Sequence, residues 1–136
     1  MAFRASFGNP FDPDVMELGE LPADQVIDAF DKVPWADFLR QMEAPNGREI
    51  HSSPYLDIEH IETHHIVSIS VAGMPDEYEY YIFYIRPKRR SYFFGLFSEM
   101  DKAYVTDKTG QTRQDAVACL EALLARNYAF LDQKIK

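Results

Sequence analysis

The chain has a single cysteine, Cys119, so no internal disulfide can close, and stability must come from a packed core. That suits a reducing compartment. No stretch approaches the roughly 18 consecutive apolar residues that a membrane helix requires. The start, MAFRASFGNPFDP, lacks the continuous apolar segment of a secretory signal and meets prolines early. Cytoplasm is therefore the expected location. Glycine-rich phosphate cradles are missing as well: Gly95 falls inside a strand-like run and Gly110 in a turn-like one. There is no G-x-S-x-G motif, and Cys119 sits on the apolar stripe of a helix, where cysteine acts as a small core hydrophobe. No two acids are placed by sequence as a general acid and base. The expectation is no enzyme and no cofactor, with an enzyme whose dispersed site lies in a pocket between helix and sheet as a further alternative.

Metal ligation has one weak candidate. His51, His60, His64 and His65 lie near Glu59 and Glu62, but ETHH has the character of a hairpin turn, which splays the ligands. The expectation is four histidines on polar surface and no metal. Asp12 and Asp14 in NPFDPD lack the glycine and the later bidentate glutamate of a calcium loop.

Positive charge is scarce, with 14 Lys and Arg against 22 Asp and Glu, a net charge of −8. Its distribution is uneven. Between Asp12 and Glu43 nine acids face only Lys32 and Arg40, whereas Arg86 to Lys136 holds ten bases and six acids. Such a chain repels nucleic acid on average. The exception is EYEYYIFYIRPKRR, residues 77 to 90, an aromatic run that turns abruptly basic. Its setting resembles, in outline, double-stranded RNA-binding domains and RNA-recognition sheets. However, the last helix opens Thr112-Arg113-Gln114-Asp115 without a lysine cluster, and the consensus strands of RNA-recognition sheets are absent. RPKRR is read as a wet hairpin between two apolar strands. Arg86, Lys88, Arg89 and Arg90 stand as the alternative, an anion-binding or nucleic-acid-binding set.

The remaining sequence reads as α+β. Residues 1–21, with Gly8, Pro10, Pro13 and Gly19, form an irregular N-terminal arm, and residues 22–136 a single domain. LPADQVIDAFDKV opens a helix with Val26, Ile27 and Phe30 on one face; after Pro34, Trp35, Phe38, Leu39 and Met42 follow helical spacing. YLDIEHI and IVSISVA alternate as strands, followed by the aromatic run, SYFFGLF and a short strand at KAYVT, with DKTG as a turn. Thr112 caps a last helix with Asp115 in a capping box; its stripe is Ala116, Val117, Leu120, Leu123 and Leu124, and Asn127 interrupts it. The order predicts a two-layer sandwich: an antiparallel meander of four to five strands, flanked in sequence by N- and C-terminal helices packed on one face.

Two features point to a partner. Alternation in the aromatic strand puts Tyr81, Phe83 and Ile85 on one face, read as inner, and Tyr78, Tyr80 and Tyr84 on the other. An outer tyrosine face would be a partner or dimer interface centred on Tyr84, unless Phe3, Phe7 and Phe11 of the arm fold across it. Asp24, Asp28 and Asp31 form a water-facing stripe that suits a basic partner. In size, charge and mixed fold the chain resembles small acidic proteins that hold one protein partner, namely secretion chaperones and the immunity proteins of bacterial toxin systems. It carries no motif specific to either, and the helix that secretion chaperones place between strands three and four is not evident. The expectation is a non-enzymatic protein-binding domain, with a second copy of itself, as a homodimer, among the candidate partners.

Overall fold

The computed structural model describes residues 2–92 and 97–136, and the side chains of these outside 89–102. Alternation in YLDIEH and HIVSISV produces two neighbouring antiparallel strands, β3 (Tyr55–His60) and β4 (His65–Met74), joined through a turn at residues 61–64. Leu56 and Ile58 lie opposite Ile69 and Val67, so all four point to the same side and are fully buried. The N-terminal arm is not irregular. It forms β1 (Phe3–Gly8) and β2 (Met16–Leu21), a hairpin that pairs with β3 through β1. Phe3, Ala5 and Phe7 alternate inward, while Arg4 and Ser6 do not.

The sheet therefore has six strands rather than four or five, in the order β2-β1-β3-β4-β5-β6. Its last two, β5 (Glu77–Tyr92) and β6 (Phe97–Gln111), are one long antiparallel hairpin. RPKRR is not a turn but paired strand, with Lys88 opposite Asp101 and Arg90 opposite Glu99. Pairing with β4 stops at Ile85, so beyond that point β5 continues as a ribbon with β6. Pro87, which has no N–H to donate, sits at a register shift between Arg86 and Lys88. The stretch SYFFGLF is shared between the two strands, with residues 93–96 outside the described residues, and KAYVT lies inside β6. DKTG is likewise strand. Its turn chemistry instead makes a bulge, where Gly110 takes a φ of +67° opposite the step from Tyr80 to Ile82.

The helices cover one face of this sheet. Pro22 precedes a 3-10 turn (Ala23–Gln25) that leads into α1 (Val26–Lys32); Pro34 ends that segment and caps α2 (Trp35–Glu43). Thr112 accepts a bond from the Asp115 N–H and its own N–H donates to the Asp115 carboxylate, the expected capping box at the start of α3 (Arg113–Leu124). Asn127 caps α4 (Tyr128–Lys134) through its side-chain oxygen. Val26, Phe30, Trp35, Leu39, Cys119, Leu120, Leu123 and Leu131 join the inner strand residues in one core. Cys119 is fully buried in this core, and burial pushes its thiol up to about 11. No helix among the described residues is long and apolar enough to cross a membrane.

Candidate functional site

The aromatic strand faces the opposite way from the expected one. A two-residue turn at Pro75–Asp76 pairs Val71 with Tyr80, Ile69 with Ile82 and Val67 with Tyr84. Directly opposed residues share a face, so Tyr80, Ile82 and Tyr84 must join the valines and isoleucine of β4 under the helices. Tyr80 is 7% exposed and Tyr84 fully buried, which removes both from any surface for a partner. Tyr78, at the margin of the same face, packs edge-on against Tyr80 at 5.8 Å between ring centres. The arm does not cover a tyrosine face, since Phe3 and Phe7 serve the inner core and its margin.

The helix-free face instead carries Tyr81, Phe83 and Ile85, all half-buried. Tyr81 and Phe83 stack with ring centres 4.3 Å apart. Cross-strand neighbours shade the small residues between them: Ser70 lies between Tyr55 and Tyr81, and Ser68 between Asp57 and Phe83. Burial raises the Asp57 carboxyl above the usual carboxylate range, against the opposing pull of its bond to Ser68.

An open groove lies on the inner side at the other end of the sheet. It has a volume of about 570 Å³ and is walled by Phe7 of β1, Leu18 and Leu21 of β2, Ala29 of α1 and Val33 just after it, and Phe38 of α2. Gln25, Asp28 and Lys32 supply the polar groups in its lining. The groove exists because α1 and α2 close over the central strands and leave β2, the edge strand, exposed along five of its six residues. Sequence explains how its wall is made. Ala5 pairs with Gly19 and Ser6 with Glu17, so Leu18 is the extra residue of a β-bulge, and Gly19 takes a φ of +85° to permit it. The bulge re-aims Leu18 into the groove. Leu18 is 42% exposed, and Met16 and Val15 beside it are more so.

The acidic stripe borders this groove. Asp24, Asp28 and Asp31 are exposed as expected, and Asp28 is part of the lining. Asp31 is engaged within the molecule, accepting a two-pronged bond from Arg113 of α3 at 2.7 and 2.8 Å. Asp24 and Asp28, with Glu17 on β2, leave the edge acidic.

The polar residues of the sheet gather at a second place, between β5, β6 and α4. Here a cavity of about 460 Å³ is lined by His65, Tyr84, Arg86, Lys88, Tyr104, Thr106, Asp132 and Lys136. Of the basic run, Arg86 and Lys88 are thus brought together, whereas the side chains of Arg89 and Arg90 lie outside the described residues. The histidines do not gather into one ligand set, although His60 and His65 lie directly opposite each other on β3 and β4. His60 is buried, not on polar surface: its Nε2 accepts from Arg126 Nε at 3.0 Å, and Phe3 packs edge-on against its ring. His64 is exposed in the turn with a φ of +60°. His65 stacks on Tyr128 at 3.8 Å, and its Nδ1 lies 2.6 Å from the Tyr84 hydroxyl. Among the described residues no three potential ligands form a metal-binding group.

Partial burial lowers the His65 pKa, and Arg86 and His60 push the same way against Asp132. The folded protein therefore binds this proton less readily than the unfolded chain, whose histidine titrates near ~6.5. The stability held by neutral His65 is complete above that value and declines as pH falls through it towards the lower folded value. Melting temperature should drop between pH 7 and 5, and His65→Gln should flatten that part of the profile. A profile unchanged by the substitution would place the acid sensitivity elsewhere.

Sequence reasoning missed the groove because its wall depends on a bulge. The signals were Gly19 within MELGEL and the alternation of FRASF. No protein-family model matches the chain, and neither curated proteins nor solved structures show a significant similarity to it.

Proposed function

We propose that the chain is a non-enzymatic protein-binding domain whose partner lays an extended basic and apolar segment along β2 and into the adjoining groove. One observation carries this reading: an exposed edge strand and an apolar groove occur side by side, joined by the bulged Leu18. An edge strand offers unpaired N–H and C=O groups to an incoming strand, and a neighbouring groove takes alternate side chains of that strand. Charge selects the kind of partner. Asp28 lines the groove beside Lys32, and the exposed Asp24 and Glu17 add negative charge to this edge, Glu17 from the helix-free side of β2, so a segment bearing lysines or arginines is favoured. The lining holds apolar walls and no nucleophile–base pair, which suits binding rather than chemistry. A cytoplasmic setting, consistent with the single buried cysteine, belongs to the same proposal.

The test begins with affinity capture from the native host, followed by hydrogen exchange on the complex. Partner binding should slow exchange at residues 16–21. Asp28→Lys should slow association at low salt more than it speeds dissociation, because an exposed charge acts mainly on encounter. Protection of the Tyr81–Phe83 face in place of β2, together with an unchanged on-rate, would overturn the assignment. Protection of β2 that rises with protein concentration alone would identify the partner as a second copy.

A further inference from the structure

The cavity beside α4 has a built interior. Arg86 is buried, its side chain 8% exposed, and three hydrogen bonds fix its guanidinium while leaving N–H groups to spare. One Nη donates to the Tyr84 carbonyl at 3.0 Å and to Thr106 Oγ1 at 2.7 Å; the other donates to Asp132 at 3.2 Å. The rings of Tyr84 and Tyr104 also pack against it, their centres 4.2 and 4.7 Å from the guanidinium carbon. A purely structural arginine would be satisfied by this, but two more cations converge on the same space. Lys88 places Nζ 4.5 Å from the Tyr104 ring, and Lys136 lines the cavity. Among the described residues of the lining, three cations thus meet one carboxylate, Asp132, which is itself 57% exposed, in a chain whose net charge is −8. Like charges gathered around one cavity repel unless something negative enters it.

We propose that this cavity binds a small organic anion, carrying a phosphate or a carboxylate, through Arg86, Lys88 and Lys136. A fixed guanidinium flanked by exposed lysines is an arrangement that recognises either group, Arg supplying direction and Lys point charge. The volume of about 460 Å³ falls within the range of small-molecule sites. Among the described residues the cations of the lining surround one hollow, which favours a small molecule over a polymer. The site lies by β5 and β6, at the opposite end of the sheet from β2, and stands independently of the proposed protein interface.

The experiment uses the full chain, isotope-labelled for amide NMR, titrated separately with inorganic phosphate and with citrate, against chloride at matched ionic strength. At least one of the two should give saturable shifts in the millimolar range, confined to residues 84–88, 104–106 and 132–136. Saturation by phosphate alone or citrate alone identifies which group the site prefers. Lys88→Ser with Lys136→Ser should weaken that binding about tenfold. Both lysines are exposed, so the melting temperature should hold. Shifts that chloride reproduces, or that survive the double substitution, overturn the proposal. So does a single-stranded oligonucleotide that binds tightly while neither small anion saturates.

Discussion

Replacing Tyr84 by alanine should destabilise the protein by about 3–5 kcal/mol, the usual cost of deleting a large buried ring. Tyr84 is fully buried, and its ring forms one of the two aromatic walls around the Arg86 guanidinium. Truncation would leave a cavity and also strip that wall from a buried charge, which places the expected value towards the upper end. Tyr84→Phe separates the two contributions of the side chain. It keeps the ring and removes only the hydroxyl beside His65 Nδ1, so the loss should be about 1 kcal/mol. Urea unfolding of the three proteins measures both differences. A Tyr84→Ala variant as stable as the parent would mean the strand faces the other way.

That orientation marks the limit of what the residues alone disclose. YLDIEH and IVSIS have one apolar and one polar side, so their inner faces could be read directly, and Leu56, Ile58, Val67 and Ile69 are where alternation puts them. EYEYYIFYI is apolar on both sides, and alternation divides it without saying which half is inside. Register decides, and register was available. If MPDE is taken as a two-residue hairpin turn at Pro75–Asp76, Val71 must face Tyr80 and the tyrosines go under the helices. Tyr81 and Phe83 remain on the helix-free side, stacked on each other and half-buried.

Local signals that concern one element were legible; those that depend on its neighbours were not. Thr112 with Asp115 caps α3 because the first N–H groups of a helix have no partner within it; Asn127, read only as an interruption, caps α4 for the same reason. By contrast RPKRR and DKTG carry turn chemistry yet remain in strands. Each meets its special backbone need with a register shift, one at Pro87 and one at Gly110, because the long β5–β6 pairing is sustained around them. Gly8, Pro10 and Pro13 suggested an irregular arm. In fact Gly8 ends β1, where the Tyr55 ring occupies the space that any side chain would need, and Pro10 and Pro13 fall in the loop to β2. His60 was misplaced for the same reason: its polarity suggests surface, but the position follows Leu56 and Ile58 on the inner face.

Leu18→Arg is the substitution expected to act most strongly on the proposed interface while leaving the fold intact. The side chain is 42% exposed at the bulge, so no core cavity is created and stability should change by no more than about 0.5 kcal/mol. For a partner segment in the groove the change is severe. An apolar wall is lost where the incoming strand turns its side chains, and a fixed positive charge meets a segment selected for its own positive charge. Central apolar anchors of interfaces cost about 2–4 kcal/mol when removed, so affinity should fall by roughly 30- to 1,000-fold. Val105→Arg provides the control. Val105 is 47% exposed on β6, at the far edge, and loses a comparable apolar surface without touching the groove. If binding requires only exposed hydrophobic surface, both variants will weaken it alike; if the partner adds to β2, Leu18→Arg alone will. Equal losses, or a Leu18→Arg protein that binds as tightly as the parent, would remove the groove from the interface.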